Sequence, residues 1–332
     1  MRKIYPIILI FGFLKCSTWD NVEGYQPPPE LTTSEITTSE ITTTEFPPLP
    51  NIQINKMSIA LFFLSFFSMI SFSNNKINLE VLSYNIRYDN SQDGKNQWSL
   101  RKGTLINYFS KSSPDIIGMQ EVLHNQLIDI STSLEEYDYL GVGREDGKIK
   151  GEYSPIFYRK SKFKVIKSST FWLSETPEEI SIGWDAALER ICTYAKFQER
   201  NSKKQFWIFN THFDHLGITA RVKSVKLILD RISKLNIKHD PVIITGDFNL
   251  TPDTIPIQTL HSVFQDVLSN IKLNDPKYGT FNGFDTSKNA IRRIDYIFQK
   301  GFNVIESKHL WIKTIDNLWA SDHHPVYLKC SF

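Results

Sequence analysis

The segment "PVIITGDFNL", residues 241–250, joins an apolar run to two polar side chains that are separated by a single residue. Asp247 supplies a carboxylate and Asn249 a carboxamide, directly after a run that is typical of a buried strand. Side chains at positions i and i+2 of an extended chain point to the same side. We therefore expect Asp247 and Asn249 to face one polar ligand at the end of this strand.

Polar side chains also end five other apolar runs along the chain. They are groups that bind hard cations or transfer protons. Taken alone, a strand-terminal Asn or Asp caps a turn, and a lone His among aromatic residues packs in the core. Six such ends together favour one polar, solvent-connected cleft, because burying each group unpaired would cost several kcal/mol. The residues at the five further ends are Asn85, Glu121, His212, Asp295 and the pair Asp322–His323.

The elements that must position these groups are predicted to be strands interleaved with a few long helices. Residues 98–112 and 220–235 have the apolar spacing of helices. In the second helix we expect one buried face, formed by Val222, Val225, Leu229, Ile232 and Leu235. Many strands are neighbours in sequence, which favours mixed sheets covered by helices. Apolar runs predict strands at residues 77–86, 115–122, 154–160, 163–173, 191–200, 204–213, 241–248, 293–299 and 325–331.

The motifs that contain the polar ends follow one another in the order and spacing of a known family. Across about residues 78–331 the chain resembles the endonuclease/exonuclease/phosphatase superfamily. It resembles most the small stand-alone members, through "GEYSPIFY" (151–158) and "GWDAALERICTYA" (183–195). The resemblance implies an α/β fold, a four-layer α/β sandwich of two mixed β-sheets packed face to face with helices outside. The motifs are "YNIR", "GMQEV", "NTHFDH", "GDFN", "RIDYIF" and "SDHHPV".

The resemblance implies a metal-dependent phosphoric ester hydrolase. Glu121 matches the metal-binding Glu of the superfamily, Asn85 its helper, and Asp322 an acid that holds metal or water. Mg²⁺ is the expected cation, with Mn²⁺ as a substitute, because Mg²⁺ takes oxygen ligands and keeps several waters. Asp247 matches the carboxylate that orients or deprotonates the attacking water, and Asn249 is expected to face the same phosphate.

Two histidines are implied to be catalytic by the same resemblance. His323 matches the His that contacts the scissile phosphate, with Asp295 orienting its ring. Base, acid and electrostatic stabiliser all stay open as the role of His323. His212 matches the second His of deoxyribonuclease-like members, and Glu152 is its expected carboxylate partner.

Several other residues leave alternatives open. Arg87 stands where abasic-site endonucleases carry an acid, two residues after the first-strand Asn, which disfavours a role in DNA repair. Arg190 is expected either to contact a phosphate or to form a surface salt bridge. Trp172, Trp184 and the loop 281–284 are either substrate walls or packing residues.

Composition limits the function without selecting a substrate. Of the 332 residues, 41% are hydrophobic, enough for one large domain or two small ones. Positions 1–73 hold four of the 38 basic and six of the 36 acidic residues, which leaves 34 and 30 for positions 74–332. This mildly basic body suits a phosphate ester and is far from a dedicated nucleic-acid binder.

The predicted function is Mg²⁺-dependent hydrolysis of a phosphate ester, by in-line attack of an activated water, in a phosphodiesterase, nuclease or phosphatase. The expected partner is the phosphate-ester substrate, with nucleic acid among the candidates, and we expect a monomer. One alternative is an enzyme for a small sugar, inositol, nucleotide or lipid phosphate that does not act on nucleic acid. A more distant alternative is a catalytically inactive binding module.

Residues 1–73 are predicted to be separate from the catalytic domain at 74–332. The start "MRKIYPIILIFGFL" is typical of a signal peptide, and the Thr/Ser/Pro-rich stretch after it of an extended stalk. The second apolar run at 57–73 is either a signal peptide that ends near Ser73 or a membrane anchor. A cleaved first signal with a tethered stalk is the third option. We expect the body to be secreted or membrane-tethered, with any membrane contact through 57–73.

Overall fold

The computed structural model describes residues 76–332. The strands of this part are β1 (Asn78–Asn85), β2 (Ile116–Gln120), β3 (Tyr137–Leu140), β4 (Ile156–Arg159), β5 (Phe163–Trp172), β6 (Ile191–Glu199), β7 (Gln205–His212), β8 (Val242–Asp247), β9 (Gln265–Asp266), β10 (Asp295–Lys300), β11 (Asn303–His309) and β12 (Val326–Ser331). The helices are α1 (Trp98–Ser112), α2 (His124–Ser133), α3 (Ile218–Leu235) and α4 (Ile255–Val263), and a 3₁₀ segment spans Ser91–Asn96.

The strands form two six-stranded sheets. The first has the order β11-β12-β1-β2-β4-β3, and the second has the order β5-β6-β7-β8-β10-β9. One pair near the middle of each sheet is parallel, β1 with β2 and β7 with β8, and the other pairs are antiparallel. Both sheets are therefore mixed, as predicted.

Alternating side chains place each sheet between two apolar layers. In β1, Leu79 and Val81 belong to the cluster between the sheets, whereas Leu82 and Tyr84 pack in the cluster that includes α1 and α2. The second sheet buries its outer face against α3 and α4, for example through Ile228. The layers run helix, sheet, sheet, helix, which confirms the predicted four-layer sandwich.

The same alternation explains why the central strands end on polar groups. Ile243 of β8 packs between the sheets, and Asp247, four residues later, points to the same side at the strand end. In sheet register Asp247 is paired with His212 of the parallel strand β7 and with Asp295 of the antiparallel strand β10. Asn85 ends β1 of the facing sheet. The space between the sheets thus changes from apolar to polar at one edge.

A layer of buried polar side chains lies beneath that edge. Gln120 Nε2 and Thr245 Oγ1 donate to Asn210 Oδ1, at 2.7 and 2.9 Å. Gly118 faces this layer, and a Cβ atom there would stand 2.3 Å from Thr245 Oγ1. Glycine is therefore required in the "GMQEV" motif so that the two sheets can approach each other.

The predicted elements are confirmed apart from their boundaries, and the predicted helix face is confirmed except for one residue. The buried residues of α3 are Ala220, Ser224, Val225, Ile228 and Ile232, and Val222 is 43% exposed. Leu229 and Leu235 are partly buried against the same cluster, so only Val222 departs from the predicted face. The helix begins two residues earlier than predicted. Five elements are additional to the sequence prediction, namely α2, β3, α4, β9 and β11.

The predictions for residues 1–73 lie outside the described residues, so the signal peptide, the stalk, the anchor at 57–73 and the secretory location stay predictions. Within 76–332, the helices are all too short or too polar to span a bilayer. Cys192 and Cys330 are free, buried thiols.

Candidate active site

One cavity of about 450 Å³ opens at the polar edge of the sandwich. Nine of its lining residues were singled out by the sequence analysis as site residues or, for Arg87, as a departure from the family pattern, and six more complete the lining. The predicted ones are Arg87, Glu121, Glu152, Arg190, His212, Asp247, Asn249 and the pair Asp322–His323, and the further ones are Tyr88, Leu188, His215, Phe281, Arg292 and Ile294. Asn85 and Asp295 are fully buried behind this surface.

Asn85 links the two sheets at the floor of the cavity. Its amide nitrogen donates to Glu121 Oε1 at 2.8 Å and to Asp247 Oδ2 at 3.0 Å. Its oxygen accepts from the backbone N–H of Arg87 at 3.0 Å. Asn85 therefore fixes the orientation of Glu121.

Glu121 follows β2 in a left-handed backbone conformation, with φ at 61°. Its second oxygen accepts from the backbone N–H of Tyr88 at 3.2 Å. The turn carries the carboxylate out of the strand and into the cavity, where it is partly exposed. A ligand can therefore reach Glu121 although Asn85 and Tyr88 hold it from behind.

Asn249 reaches the cavity by a different route from the one that strand alternation predicts. The strand β8 stops at Asp247, and Asn249 has φ at 51°. Its backbone N–H donates to Asp247 Oδ1 at 2.9 Å, and its amide nitrogen lies 3.0 Å from Phe213 O and 3.1 Å from His212 Nε2. Both predicted side chains line the cavity, and a tight turn, not an extended strand, brings Asn249 there.

His323 and Asp295 form a buried pair, as predicted. Nδ1 of His323 lies 2.8 Å from Asp295 Oδ2, and Nε2 lies 3.7 Å from Asp247 Oδ2. Burial alone would lower the pKa of His323, but the two carboxylates raise it well above its ordinary value. Burial raises the pKa of Asp295, whereas His323 and His212 outweigh burial and lower that of Asp247. These contacts therefore favour the imidazolium form of His323 and the ionised form of Asp247.

His212 approaches the same oxygen of Asp247 from the other side. Its Nε2 lies 3.5 Å from Asp247 Oδ2, and its Nδ1 lies 3.6 Å from Glu152 Oε2. Arg144 makes two hydrogen bonds to Glu152, at 3.0 and 2.9 Å. Although burial acts against it, His212 and Arg144 lower the pKa of Glu152 to about 2. Glu152 is the partner of His212 that the sequence predicts, and Arg144 is an addition.

Arg190 is buried, which contradicts the surface salt-bridge alternative. Its Nε donates to Asp214 Oδ2 at 3.3 Å, and one terminal nitrogen lies 3.1 Å from His215 Nδ1. The other terminal nitrogen is buried without a partner among the described residues. Because Arg190 also lines the cavity, this free N–H group is suited to an anionic ligand.

Arg87 and Asp322 lie across from these groups. Arg87 makes two 3.0 Å hydrogen bonds to Asp93, and its NH1 nitrogen is 3.8 Å from Asp322 Oδ2. Burial and the charge of Glu121 raise the pKa of Asp322 to about 6. Arg87 therefore places a positive charge beside Asp322, two residues after Asn85.

The donor set fits a hard divalent cation. Single ligand atoms of Glu121, His212 and Asp247 lie within 4.8 Å of one another, and so do those of Asp247, Asp295 and His323. The first group joins two carboxylates on the open cavity, which is the ligand chemistry that Mg²⁺ prefers. Asp322 borders the same cavity outside both groups. The residues present therefore fit a Mg²⁺ site centred on Glu121 and Asp247.

Several positioning residues were missed by the sequence analysis. Thr280 Oγ1 accepts from the backbone N–H of Asp295 at 3.1 Å, and Ser321 Oγ donates to Asn85 O at 2.7 Å. Arg101 of α1 is buried and donates to the backbone oxygens of Arg87 and Ala320, at 2.6 and 3.2 Å. These contacts tie together loops that are distant in sequence, so local patterns contain no signal for them.

The predicted substrate walls are only partly present. Phe281 of the loop 281–284 lines the cavity, whereas Trp172 and Trp184 are absent from the described lining. Trp172 is buried and donates its indole N–H to Arg144 O at 2.8 Å. It therefore supports the Arg144–Glu152 pair from behind.

Comparison with known proteins agrees with this architecture. A family model described as "Endonuclease/Exonuclease/phosphatase family" matches residues 82–323. An uncharacterized protein of Acanthamoeba polyphaga mimivirus is 31% identical over 251 residues, which covers 70% of this chain and 91% of that protein.

Solved structures give the same result. An endonuclease/exonuclease/phosphatase from Bacteroides vulgatus is 39% identical with a TM-score of 0.71, and covers 77% of this chain and 99% of its own. A mannosyl-6-phosphatase from Bacteroides thetaiotaomicron is 38% identical with a TM-score of 0.72, and covers 76% of this chain and 100% of its own. The human nocturnin catalytic domain, at 19% identity and a TM-score of 0.61, shares the fold.

Proposed function

This chain belongs to the endonuclease/exonuclease/phosphatase family, and from that premise we propose that it hydrolyses a phosphate ester with the help of a divalent cation. The observation that carries the proposal is the position of Asp247. Its Oδ2 oxygen lies between Nε2 of His212 and Nε2 of His323, at 3.5 and 3.7 Å, and Asn85 connects it to Glu121. One cavity thus holds a base, two proton-transfer groups and a metal-binding carboxylate.

Glu121 and Asp247 would hold the cation, with Asn85 orienting Glu121 and Asp322 nearby for metal or water. Mg²⁺ is the expected ion, and Mn²⁺ would substitute for it. When bound, the cation neutralises a phosphoryl oxygen and the charge that develops on it. The remaining steps use side chains of this chain.

Asp247 is ionised and is placed to orient the attacking water or to accept its proton. His323 is an imidazolium because Asp295 and Asp247 face its two nitrogens. It stabilises the negative oxygens of the phosphorane-like transition state. The amide nitrogen of Asn249 lies 3.1 Å from His212 Nε2, and the N–H on that side is proposed to donate to the same phosphate when substrate is bound.

His212, held by Glu152 on its other nitrogen, is placed to transfer a proton on the side of Asp247 opposite His323. A proton transfer of this type contributes roughly 10²–10⁴-fold. The free nitrogen of Arg190 is on the same side of the cavity and is proposed to donate to a phosphate oxygen. These roles divide the site into a stabilising half at His323 and a proton-transfer half at His212.

The proposed substrate is a small phosphate ester, and a sugar phosphate is the first candidate. Two observations support this choice. The cavity of about 450 Å³ is within the range for small-molecule sites, and a related structure at 38% identity is a mannosyl-6-phosphatase. We further propose that the protein acts as a monomer.

The test uses the full-length protein and measures phosphate release from hexose 6-phosphates and phenyl phosphate, with and without Mg²⁺. Plasmid DNA and bis-p-nitrophenyl phosphate report nuclease and diesterase activity. Glu121→Gln should lose the Mg²⁺-dependent activity, whereas Glu179→Gln, at an exposed position, should keep it. Full activity of Glu121→Gln would refute the metal assignment, and inactivity on every ester would favour the binding-module alternative.

A further inference from the structure

Phe281 and Arg292 form one wall of the cavity, directly beside His323. The ring centroid of Phe281 lies 5.1 Å from that of His323, and the guanidinium carbon of Arg292 lies 5.6 Å from the Phe281 centroid. Arg292 is exposed and Phe281 is half-buried. The wall therefore runs from His323 through Phe281 to the exposed Arg292.

Backbone hydrogen bonds hold this wall in place on both sides. The N–H groups of Thr280 and Phe281 donate to Arg292 O at 2.9 and 3.1 Å, and the N–H groups of Asn282 and Gly283 donate to Asp322 O at 2.8 and 3.0 Å. The backbone of Phe281 is also paired in single antiparallel β-bridges with Arg292 and with His323. The wall is thus part of the same backbone framework as the catalytic imidazole and is preorganised relative to it.

Arg292 differs from the other two guanidinium groups of the cavity. Arg87 pairs with Asp93 at 3.0 Å and Arg190 with Asp214 at 3.3 Å. Within residues 76–332, the guanidinium of Arg292 has neither a carboxylate partner nor a hydrogen bond. It lies next to the ring of Phe281. A guanidinium without a carboxylate or carbonyl partner keeps its N–H donors available. These donors point to an oxygen-rich ligand at the mouth.

We infer that Phe281 and Arg292 form the leaving-group subsite, and that this subsite takes a polyhydroxylated ring such as a hexose. The inference rests on the proposed function, which places the phosphate beside His323. The next group along the wall is then the alcohol that carries the phosphate. An aromatic side chain packs well against the C–H groups of a sugar ring, and Arg292 supplies donors for its hydroxyl oxygens. An aryl phosphate without hydroxyl groups would pack against the Phe281 ring but would accept no hydrogen bond from Arg292.

The inference is tested by Arg292→Met in the full-length protein, with Mg²⁺ present. The specificity constant kcat/KM for a hexose 6-phosphate should fall at least about tenfold, as expected for loss of a hydrogen bond to a charged group. The value for phenyl phosphate should stay within about twofold of the wild type, because its leaving group carries no acceptor for Arg292. Lys288→Met removes the same charge at an exposed residue of the same segment and should change neither value.

The outcomes separate this inference from the proposed function. Equal losses on both esters would show that Arg292 binds the phosphate itself, and no loss on either would show that it binds nothing; each result overturns the subsite. Wild-type activity on phenyl phosphate without activity on any hexose phosphate overturns it as well. Wild-type inactivity on all esters contradicts the proposed function instead. Arg292→Gln, which keeps a shorter donor, should lie between Arg292→Met and the wild type.

Discussion

Asn249 shows at the scale of one residue how backbone conformation and chemistry are coupled. Its φ of 51° is unfavourable for most side chains and free of cost for glycine. We expect Asn249→Gly to lower the free energy of unfolding by no more than about 1 kcal/mol, the net value of the lost hydrogen bond to Phe213 O, since the turn is retained. Hydrolysis should fall by about 10²–10³-fold, the usual effect of removing one donor from a transition state.

Two further variants control this prediction. Asn249→Ala should lose the same activity and about 1 kcal/mol of stability in addition, because Ala is strained at positive φ. Asn317→Gly, at an exposed residue with φ of 61°, should alter neither quantity. Steady-state rates and urea denaturation give both readouts, and a fully active Asn249→Gly would remove Asn249 from the mechanism.

The sequence identifies the residues that combine a chemical group with a strand end. Examples are Asp247, His323 and Glu121. Each lies next to an apolar run, so the sequence alone indicates both its chemical type and its position at a strand end. Phe281 and Arg292 lie in a segment without a periodic pattern, and Thr280 acts through one hydroxyl on a backbone N–H. Their importance comes from what they touch, which depends on contacts that no local pattern specifies.

At the scale of elements, the close approach of β2 and β8 depends on Gly118. A Cβ atom there would lie 2.3 Å from Thr245 Oγ1 and 2.7 Å from Asn210 Oδ1. We expect Gly118→Ala to destabilise the protein by about 1–3 kcal/mol, the usual cost of overpacking. Gly103→Ala, in α1 with open space around it, should instead stabilise by up to about 1 kcal/mol. Chemical denaturation measures both, and a neutral Gly118→Ala would show that the sheets can separate at little cost.

The end of β11 carries a pH-dependent contribution to stability. His309 is buried, and burial lowers its pKa to about 4. Because the unfolded chain then takes up the proton first, stability is lost as pH falls from about 6.5 towards 4. Between pH 7 and pH 5 the loss from this residue is about 2 kcal/mol.

His309→Asn should therefore show a smaller loss of unfolding free energy between pH 7 and pH 5 than the wild type. His239→Asn, at an exposed residue, should leave the wild-type difference unchanged. The comparison uses urea denaturation at the two pH values. Parallel pH dependence in His309→Asn and the wild type would show that other groups cause the acid sensitivity.

Elements were predictable from sequence where the apolar pattern is long. The boundaries of α1 at residues 98–112 agree with the prediction, and the central strands are buried on both faces. The short strands β3 and β9 are defined by their partners β4 and β10, so the sequence alone gives little sign of them. The face of α3 was predicted correctly except for Val222, which is exposed. The buried face also includes Ser224, a polar residue that the apolar pattern omits.

For the molecule as a whole, a cation bound at Glu121 and Asp247 should stabilise the folded state. At a Mg²⁺ concentration about 100 times Kd, linkage predicts an increase of about 2.7 kcal/mol in the free energy of unfolding. Glu121→Gln should lose this increase, whereas Glu179→Gln should retain it. Thermal unfolding with and without Mg²⁺ measures the effect independently of catalysis. An equal increase in Glu121→Gln would place the ion at another site.

The order of strands in the first sheet also governs when the protein can fold. β1 lies between β2 and β12, so Asn78 pairs with Ser331 across nearly the whole described chain. During synthesis at about 5–20 residues per second, β1 emerges from the ribosome with one edge open until the last strand has followed it. An open apolar edge invites pairing with other chains, so the nascent protein needs protection throughout translation. Ribosomes that stop before residue 326 should release chains that aggregate, even though every catalytic side chain has already been made.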